Sequence, residues 1–300
     1  MVTSGVGGLY EVETPDGTVK CRARGVFRSE GLTVTVGDRV GIRREPDGSA
    51  AIMEICERRS VLIRPPLANL DLIFITIAAA KPAPALDVVD KLSCIAHHNG
   101  IDCAIIVTKS ELDRENAAHI AEIYSKTPYK VFITSAAEDE GIAQLRNYIM
   151  GEFTAESPKI CAFAGASGVG KSTLLSKIFP DFAPDTGSVS KIGRGRHTTR
   201  AVTLYPIPGT DGKSKIADTP GFSLLDFTRF DFFELEELAA TFPEFDEHIG
   251  TCRYTKCTHL REDGCSIVEA VKRHNISKER HNSYVSLFAE LKEKAKHKYD

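Results

Sequence analysis

The chain lacks a strong charge of either sign: 38 lysines and arginines stand against 41 aspartates and glutamates in 300 residues, a formal net charge of −3. A global polycation is excluded, so any attraction to nucleic acid must come from local patches. A long apolar run is also missing. The most apolar stretch, Leu72 to Ala80, covers nine residues between Asp71 and Lys81, whereas about 20 are needed to span a bilayer. Met1 to Tyr10 holds no basic residue and no apolar core, so the reading is a soluble, cytoplasmic protein without a secretory leader or membrane partner. Eight cysteines are too few for a disulfide scaffold, and no internal repeat or low-complexity segment is present. What is there, 42% hydrophobic and 26% charged residues, is the composition of a globular chain of about two domains, with three small ones allowed.

Three zones differ in texture. Residues 1–64 read as about five short strands, with Pro-Asp-Gly turns at Pro15 and Pro46 and period-two alternation over Leu32-Thr33-Val34-Thr35-Val36. A small barrel, with the OB-fold as natural candidate, fits this pattern. Alternation places Lys20, Arg22 and Arg24 on one strand face. That face either tracks a phosphate backbone or is simply a solvated exterior. Residues 65–225 alternate apolar strands with helical patterns, as α/β units do. Strands are expected at Leu72–Ile77, Cys103–Val107, Val131–Thr134, Ile160–Ala164, Val202–Ile207 and Lys215–Ala217, with a helix carrying Leu86, Val89 and Leu92 between the first two. Residues 226–300 show no strand pattern. They start acidic and end in a helix from about Lys278 to Lys298 with Tyr284, Leu287, Phe288 and Leu291 on one stripe.

Strand Ile160–Ala164 runs into Gly165-Ala166-Ser167-Gly168-Val169-Gly170-Lys171-Ser172-Thr173 and then a helix. This is a P-loop in its proper context: glycines let backbone N–H groups face phosphate oxygens, and the helix N-terminus adds positive potential. Lys171 is expected at the β- and γ-phosphates and Ser172 on Mg²⁺. At the end of the last strand, Asp218-Thr219-Pro220-Gly221 offers a carboxylate for Mg²⁺ and a Gly221 N–H for the γ-phosphate. GTPases read guanine at two further strand ends. Here Thr108-Lys109-Ser110-Glu111 and Ser135-Ala136 stand at such ends, upstream of the P-loop. Lys109 would lie along the base, Glu111 would accept from guanine N1 and N2, and the Ala136 N–H would meet O6.

The order guanine segment, Ser-Ala, P-loop, DxxG is a circular permutation of the usual GTPase. The chain resembles the circularly permuted GTPases of the RsgA (YjeQ/YloQ) family, which depend on the small ribosomal subunit. Gly193-Arg194-Gly195-Arg196-His197-Thr198-Thr199-Arg200 is similar to that family's switch I, and Asp218 to Phe222 to its switch II. The resemblance implies that Thr198 or Thr199 ligates Mg²⁺ in the GTP state, and that the partners are the 30S subunit and 16S rRNA during late maturation. Glu111 departs from the family's usual Asp, and Thr108 from its Asn. Phe222 stands where many GTPases carry a water-orienting Gln, so slow hydrolysis until a partner completes the site is expected. His197 is either a substitute for that group or a loop histidine.

Cys252-x₄-Cys257-x-His259-x₅-Cys265 supplies three thiolates and an imidazole. Four N/S ligands close a tetrahedral Zn²⁺ shell, so the site is read as structural, with His248, His274 and His281 as less well spaced alternatives. The remaining cysteines, Cys21, Cys56, Cys94, Cys103 and Cys161, read as buried reduced thiols. Residues 187–200 carry four Lys/Arg and no acid, and residues 268–300 carry eight against five. With the barrel face they form basic patches suited to an RNA backbone. The expected architecture is therefore multidomain: an OB-fold RNA-binding β-barrel over 1–64, a circularly permuted α/β P-loop GTPase domain over 65–225, and a zinc-binding, mainly α domain over 226–300. The expected activity is hydrolysis of GTP to GDP and phosphate by a monomer. A zinc-stabilised RNA-binding adaptor with a barely turned-over nucleotide site is the alternative.

Overall fold

In the computed structural model, residues 1–29, 31–46, 49–180, 202–218 and 232–297 are described. The chain divides into two compact units, one of Met1–Leu72, Gln144–Phe163 and Ser172–Phe222, the other of Ile73–Ala143, Ala164–Lys171 and Ser223–Asp300. Among the described residues no helix is long and apolar enough to cross a membrane.

The first unit begins with five strands, β1 (Val2–Val6), β2 (Leu9–Thr14), β3 (Gly17–Ala23), β4 (Val40–Arg44) and β5 (Ala50–Ile55), and a short helix α1 (Gly25–Ser29). Their order is β1-β2-β3-β5-β4, with β3 and β5 parallel and the other neighbours antiparallel. This is the strand order of an OB-fold. Cys21 is buried on β3 while Lys20 and Arg22 are exposed, and Arg24 follows them to the surface, so the basic face faces solvent. The two-residue strands β6 (Val61–Leu62) and β7 (Leu67–Ala68) pair in a ribbon after the barrel.

The expected strand over Leu32–Val36 does not form. Val34 and Val36 are both buried, yet so are Thr35, Gly37 and Asp38, and the backbone is irregular. Its polar groups bond outside any ladder: the Thr35 N–H donates to the Asp38 carboxylate at 2.7 Å, the Thr33 carbonyl accepts from Arg58, and the Val36 carbonyl accepts from the Ala68 N–H. Alternation signals burial on one face, and here a carboxylate, not a strand, satisfies the peptide groups.

Strands β11 (Ile160–Ala164), β12 (Thr203–Pro206) and β13 (Lys215–Asp218) complete this unit's sheet; β11 and β13 are parallel, and β12 bridges β13 to β1 in antiparallel fashion. Lys215 is 2% exposed and pairs with Glu13 of β2 at 2.8 Å. The helices α4 (Ile142–Glu152) and α5 (Lys171–Ile178) fall mainly in this unit.

The second unit holds β8 (Leu72–Ala78), β9 (Asp102–Thr108) and β10 (Lys130–Ile133) in the order β10-β9-β8, with β9 and β10 parallel. Every residue of β8 is buried, which explains its continuous apolar run: strands covered on both faces need no polar alternation. Helices α2 (Leu86–His98) and α3 (Arg114–Ser125) turn Val89, Leu92, Ala117 and Ile120 inward. The C-terminal part of this unit contains α6 (Ser266–Lys272) and α7 (Lys278–His297), and no strand among the described residues. Tyr284, Leu287 and Leu291 are buried, and the Tyr284 ring meets Phe242 and Phe245 edge-on at 5.4 and 5.2 Å. Of the five scattered cysteines, Cys21, Cys94, Cys103 and Cys161 are buried and Cys56 is exposed.

Candidate functional site

The glycine loop leaves β11 and enters α5 at Lys171. Gly165 has a φ of +135°, and a Cβ there would lie 2.1 Å from the Thr76 carbonyl oxygen of β8, so the position demands glycine. Gly168 and Gly170 also take positive φ, +77° and +102°. Lys171 folds back over the loop, its Nζ donating to the carbonyls of Gly165 and Ala166 at 2.8 and 2.9 Å. Burial lowers its pKa, the signature of an ammonium short of solvent. Ser167, Gly168, Ser172 and Thr173 are exposed while Val169 is buried. The loop is thus a preformed cradle with a cation across it.

The segment after β9 is fastened to that cradle. The Thr108 hydroxyl donates to the Val169 carbonyl at 2.6 Å. Lys109 adopts the left-handed conformation (φ 56°), which aims its Nζ at the carbonyls of Gly168 and Lys81, at 2.8 and 2.5 Å. Ser110 and Glu111 open a 3₁₀ turn, Ser110–Leu112, and the Ser110 N–H bonds the Thr134 carbonyl. Two polar atoms here, Ser110 Oγ and Glu111 Oε2, are buried without a hydrogen-bond partner among the described residues. An unsatisfied buried carboxylate oxygen is costly, and a ligand bearing N–H groups would satisfy it. Asp113 is occupied elsewhere: its side chain caps α3, accepting from the Asn116 N–H at 2.9 Å.

After β10 the Ser135-Ala136 pair is held in a tight loop, with Ser135 and Glu140 exchanging backbone hydrogen bonds at 3.0 Å. Arg114 bonds Glu138 and Glu140 at 2.5 and 2.9 Å, tying the start of α3 to this loop. Thr76 and Arg114 escaped sequence analysis, because nothing local distinguishes them: Arg114 lies 24 and 26 positions from its partners. Asp218 ends β13 and is exposed. Thr198, Thr199, Gly221, and with them His197, the rest of Gly193–Arg200 and Phe222, lie outside the described residues.

In the C-terminal part, Cys252, Cys257, His259 and Cys265 bring four ligand atoms within 4.8 Å of one another. His259 points Nδ1 at the Cys252 and Cys265 sulfurs, each 3.5 Å away, and burial lowers its pKa, favouring the neutral imidazole that ligates metal. His281 does not join the set; its Nε2 lies 2.8 Å from the His259 carbonyl and braces it. Glu262, unnoticed in sequence, holds the knuckle from inside. Burial opposes its ionisation, but hydrogen bonds from the Thr258 hydroxyl and the N–H groups of Thr258, Leu260 and Arg261 overcome this and bring its pKa to about 2. Three thiols and one imidazole so close are compatible with a closed structural Zn²⁺ site.

A profile of the RsgA GTPase family matches residues 55–228, and a profile of the RsgA N-terminal domain matches residues 1–52. A small ribosomal subunit biogenesis GTPase RsgA of Caldanaerobacter subterraneus subsp. tengcongensis is 37% identical over 99% of this chain and 97% of its own, and its namesake of Moorella thermoacetica is 39% identical over 95% and 94%. The crystal structure of YjeQ from Thermotoga maritima aligns with a TM-score of 0.78 at 31% identity, covering 97% of both chains. That of YloQ, a circularly permuted GTPase, aligns with a TM-score of 0.74 at 33% identity over 97% of this chain and 94% of its own. Agreement of both profiles, of near-complete relatives and of the fold leads to one conclusion: the chain belongs to the RsgA family of circularly permuted GTPases.

Proposed function

We propose that this protein is a GTPase that binds the 30S ribosomal subunit, assists its late maturation, and leaves after hydrolysing GTP to GDP and phosphate. The observation that carries this reading is the latch of Thr108 and Lys109 onto the glycine-loop carbonyls. It joins a base-reading segment to a phosphate cradle, as nucleotide selection requires. In this reading Gly165 to Thr173 wrap the phosphates, with Lys171 on the β- and γ-phosphates. Ser172, Asp218 and, in the GTP state, Thr198 or Thr199 hold the Mg²⁺, and Gly221 meets the γ-phosphate. The Mg²⁺ neutralises charge developing on the phosphates. Thr108 and Lys109 position the base segment, the orphaned Glu111 oxygen takes the guanine N–H groups, and Ser135-Ala136 face O6. With Phe222 unable to orient water, turnover is slow until the subunit completes the site.

The proposed division of labour follows the three sequence zones: the barrel of 1–64 and the basic terminal segment meet 16S rRNA, 65–225 handles GTP, and 226–300 holds Zn²⁺. The protein is proposed to act as a cytoplasmic monomer. Turnover measured with and without 30S subunits tests it. The natural protein should be slow alone and faster with subunits, whereas Lys171→Ala should lower GTP affinity by about two orders of magnitude through loss of a charge-assisted phosphate contact. Turnover that stays negligible on subunits would leave the zinc-stabilised adaptor instead. Glu111→Ala should cut the preference for GTP over ATP by about 100-fold, because a site built to hydrogen-bond one base leaves its own groups unpaired with another. Nucleotide competition reads this directly, and equal affinities in the natural protein would refute guanine recognition.

A further inference from the structure

A cavity of about 220 Å³ in the first unit is walled by four cationic side chains, Arg39, Arg59, Lys159 and Lys213, with Glu13 among them and Asn69 beneath. Its base is rigid. Asn69 is 3% exposed, donates to the Gly37 carbonyl at 3.0 Å and accepts from the Arg59 N–H at 2.9 Å. The Ile160 N–H donates to Asp71 at 2.7 Å, fixing the strand behind it.

Three of the charged walls are already matched by a neighbour. Arg59 pairs with Asp71 at 2.6 Å, Lys159 with Glu152 at 2.7 Å, and Glu13 with Lys215 at 2.8 Å. Two cations remain. Arg39 makes no ion pair among the described residues, and Lys213 reaches only the Ala155 carbonyl, at 3.4 Å. This excess of two positive side-chain charges, to which the Met1 ammonium adds, suits a phosphate monoester, whose charge near neutral pH is about −2. The guanidinium of Arg39 supplies a planar fork that suits phosphate oxygens, while Arg59 adds positive charge with both terminal nitrogens turned to Asp71. The volume exceeds that of a bare phosphate, leaving room for the group that bears it.

We propose that this cavity is a second anion site, distinct from the glycine loop, that takes the phosphate of a phosphorylated ligand. Its walls come from the barrel (Arg39), the segment after it (Arg59), and the approaches to β11 (Lys159) and β13 (Lys213), so a bound phosphate would bridge parts of the unit that only tertiary folding brings together. None of these residues belongs to the glycine loop, so the nucleotide reading stands or falls separately.

The test uses the full chain saturated with GDP and Mg²⁺, which blocks the glycine loop. Inorganic phosphate, ribose 5-phosphate and a short unstructured RNA lacking terminal phosphates are titrated calorimetrically. Ribose 5-phosphate should bind once per chain, be displaced by inorganic phosphate, and weaken about tenfold or more in the Arg39→Ala/Lys213→Ala variant, as loss of charged hydrogen bonds requires. GDP affinity should be unchanged, and Lys296→Ala on α7 should leave ribose 5-phosphate binding as it was. If the small phosphates fail but the RNA binds and weakens in the same variant, the phosphate is an RNA backbone group and the site still stands. No binding by any probe, or binding indifferent to Arg39 and Lys213, overturns the proposal.

Discussion

Removing zinc should unfold the knuckle around residues 245–270 while α7 stays anchored and GTP binding survives. The reason is the poverty of the knuckle's own core. Between Cys252 and Cys265 only His259 and Cys265 are buried, and most of the backbone forms turns, with Glu262 as the main internal brace. A Cys₃His site would contribute on the order of ten kcal/mol to such a segment, since metal binding there is folding energy. Without the cation, burial pushes the Cys257 thiol up to about 12 and raises Cys265, while at Cys252 burial is outweighed by hydrogen bonds from Ser266 that lower its pKa, so two of the three thiols revert to neutral groups and the cluster loses the charge that holds it together. Zinc content by elemental analysis, hydrogen exchange before and after chelation, and GDP titration check this. Cys257→Ser should reproduce the exchange pattern and lower 30S co-sedimentation. A natural protein free of zinc, or exchange unaffected by chelation, contradicts it.

Arg280→Met should destabilise the second unit by about 3–5 kcal/mol, because it strands two buried carboxylates. Arg280 is fully buried. Its guanidinium donates to Asp90 of α2 and to Glu244 at 2.7 Å each, with a second bond to Glu244 at 3.1 Å and one to Ser93 at 3.1 Å. The Tyr124 hydroxyl adds a bond to Asp90 at 2.8 Å, and the Phe242 ring covers the guanidinium at 4.5 Å. The charges are satisfied only as a set. Replacing the set with Asp90→Asn, Glu244→Gln and Arg280→Met together should therefore recover much of the loss. Denaturant midpoints and exchange protection in α2 and α7 measure both variants. An Arg280→Met protein as stable as the natural one would show that the network contributes nothing.

Chemistry carried by neighbours in sequence was legible without a structure. The glycine loop, the three strand ends and the Cys₃His spacing each depend on residues a few positions apart, joined by a turn whose geometry glycine or a metal dictates. For the same reason β8, β9 and β11 stood out as apolar runs. What stayed hidden rests on partners far apart in the chain. Arg280 reads as one more positive charge on a basic terminal helix, yet it is an interior residue paired with a carboxylate 190 positions away. Lys215 reads as a strand-edge lysine and is buried against Glu13, 202 positions away. The alternating Leu32–Val36 segment became an irregular stretch because Asp38 and Arg58 offered its peptide groups better partners than a neighbouring strand. Residue type and local period determine which groups must be bonded or buried; where a charge finds its counter-charge is decided only when folding has excluded water from both.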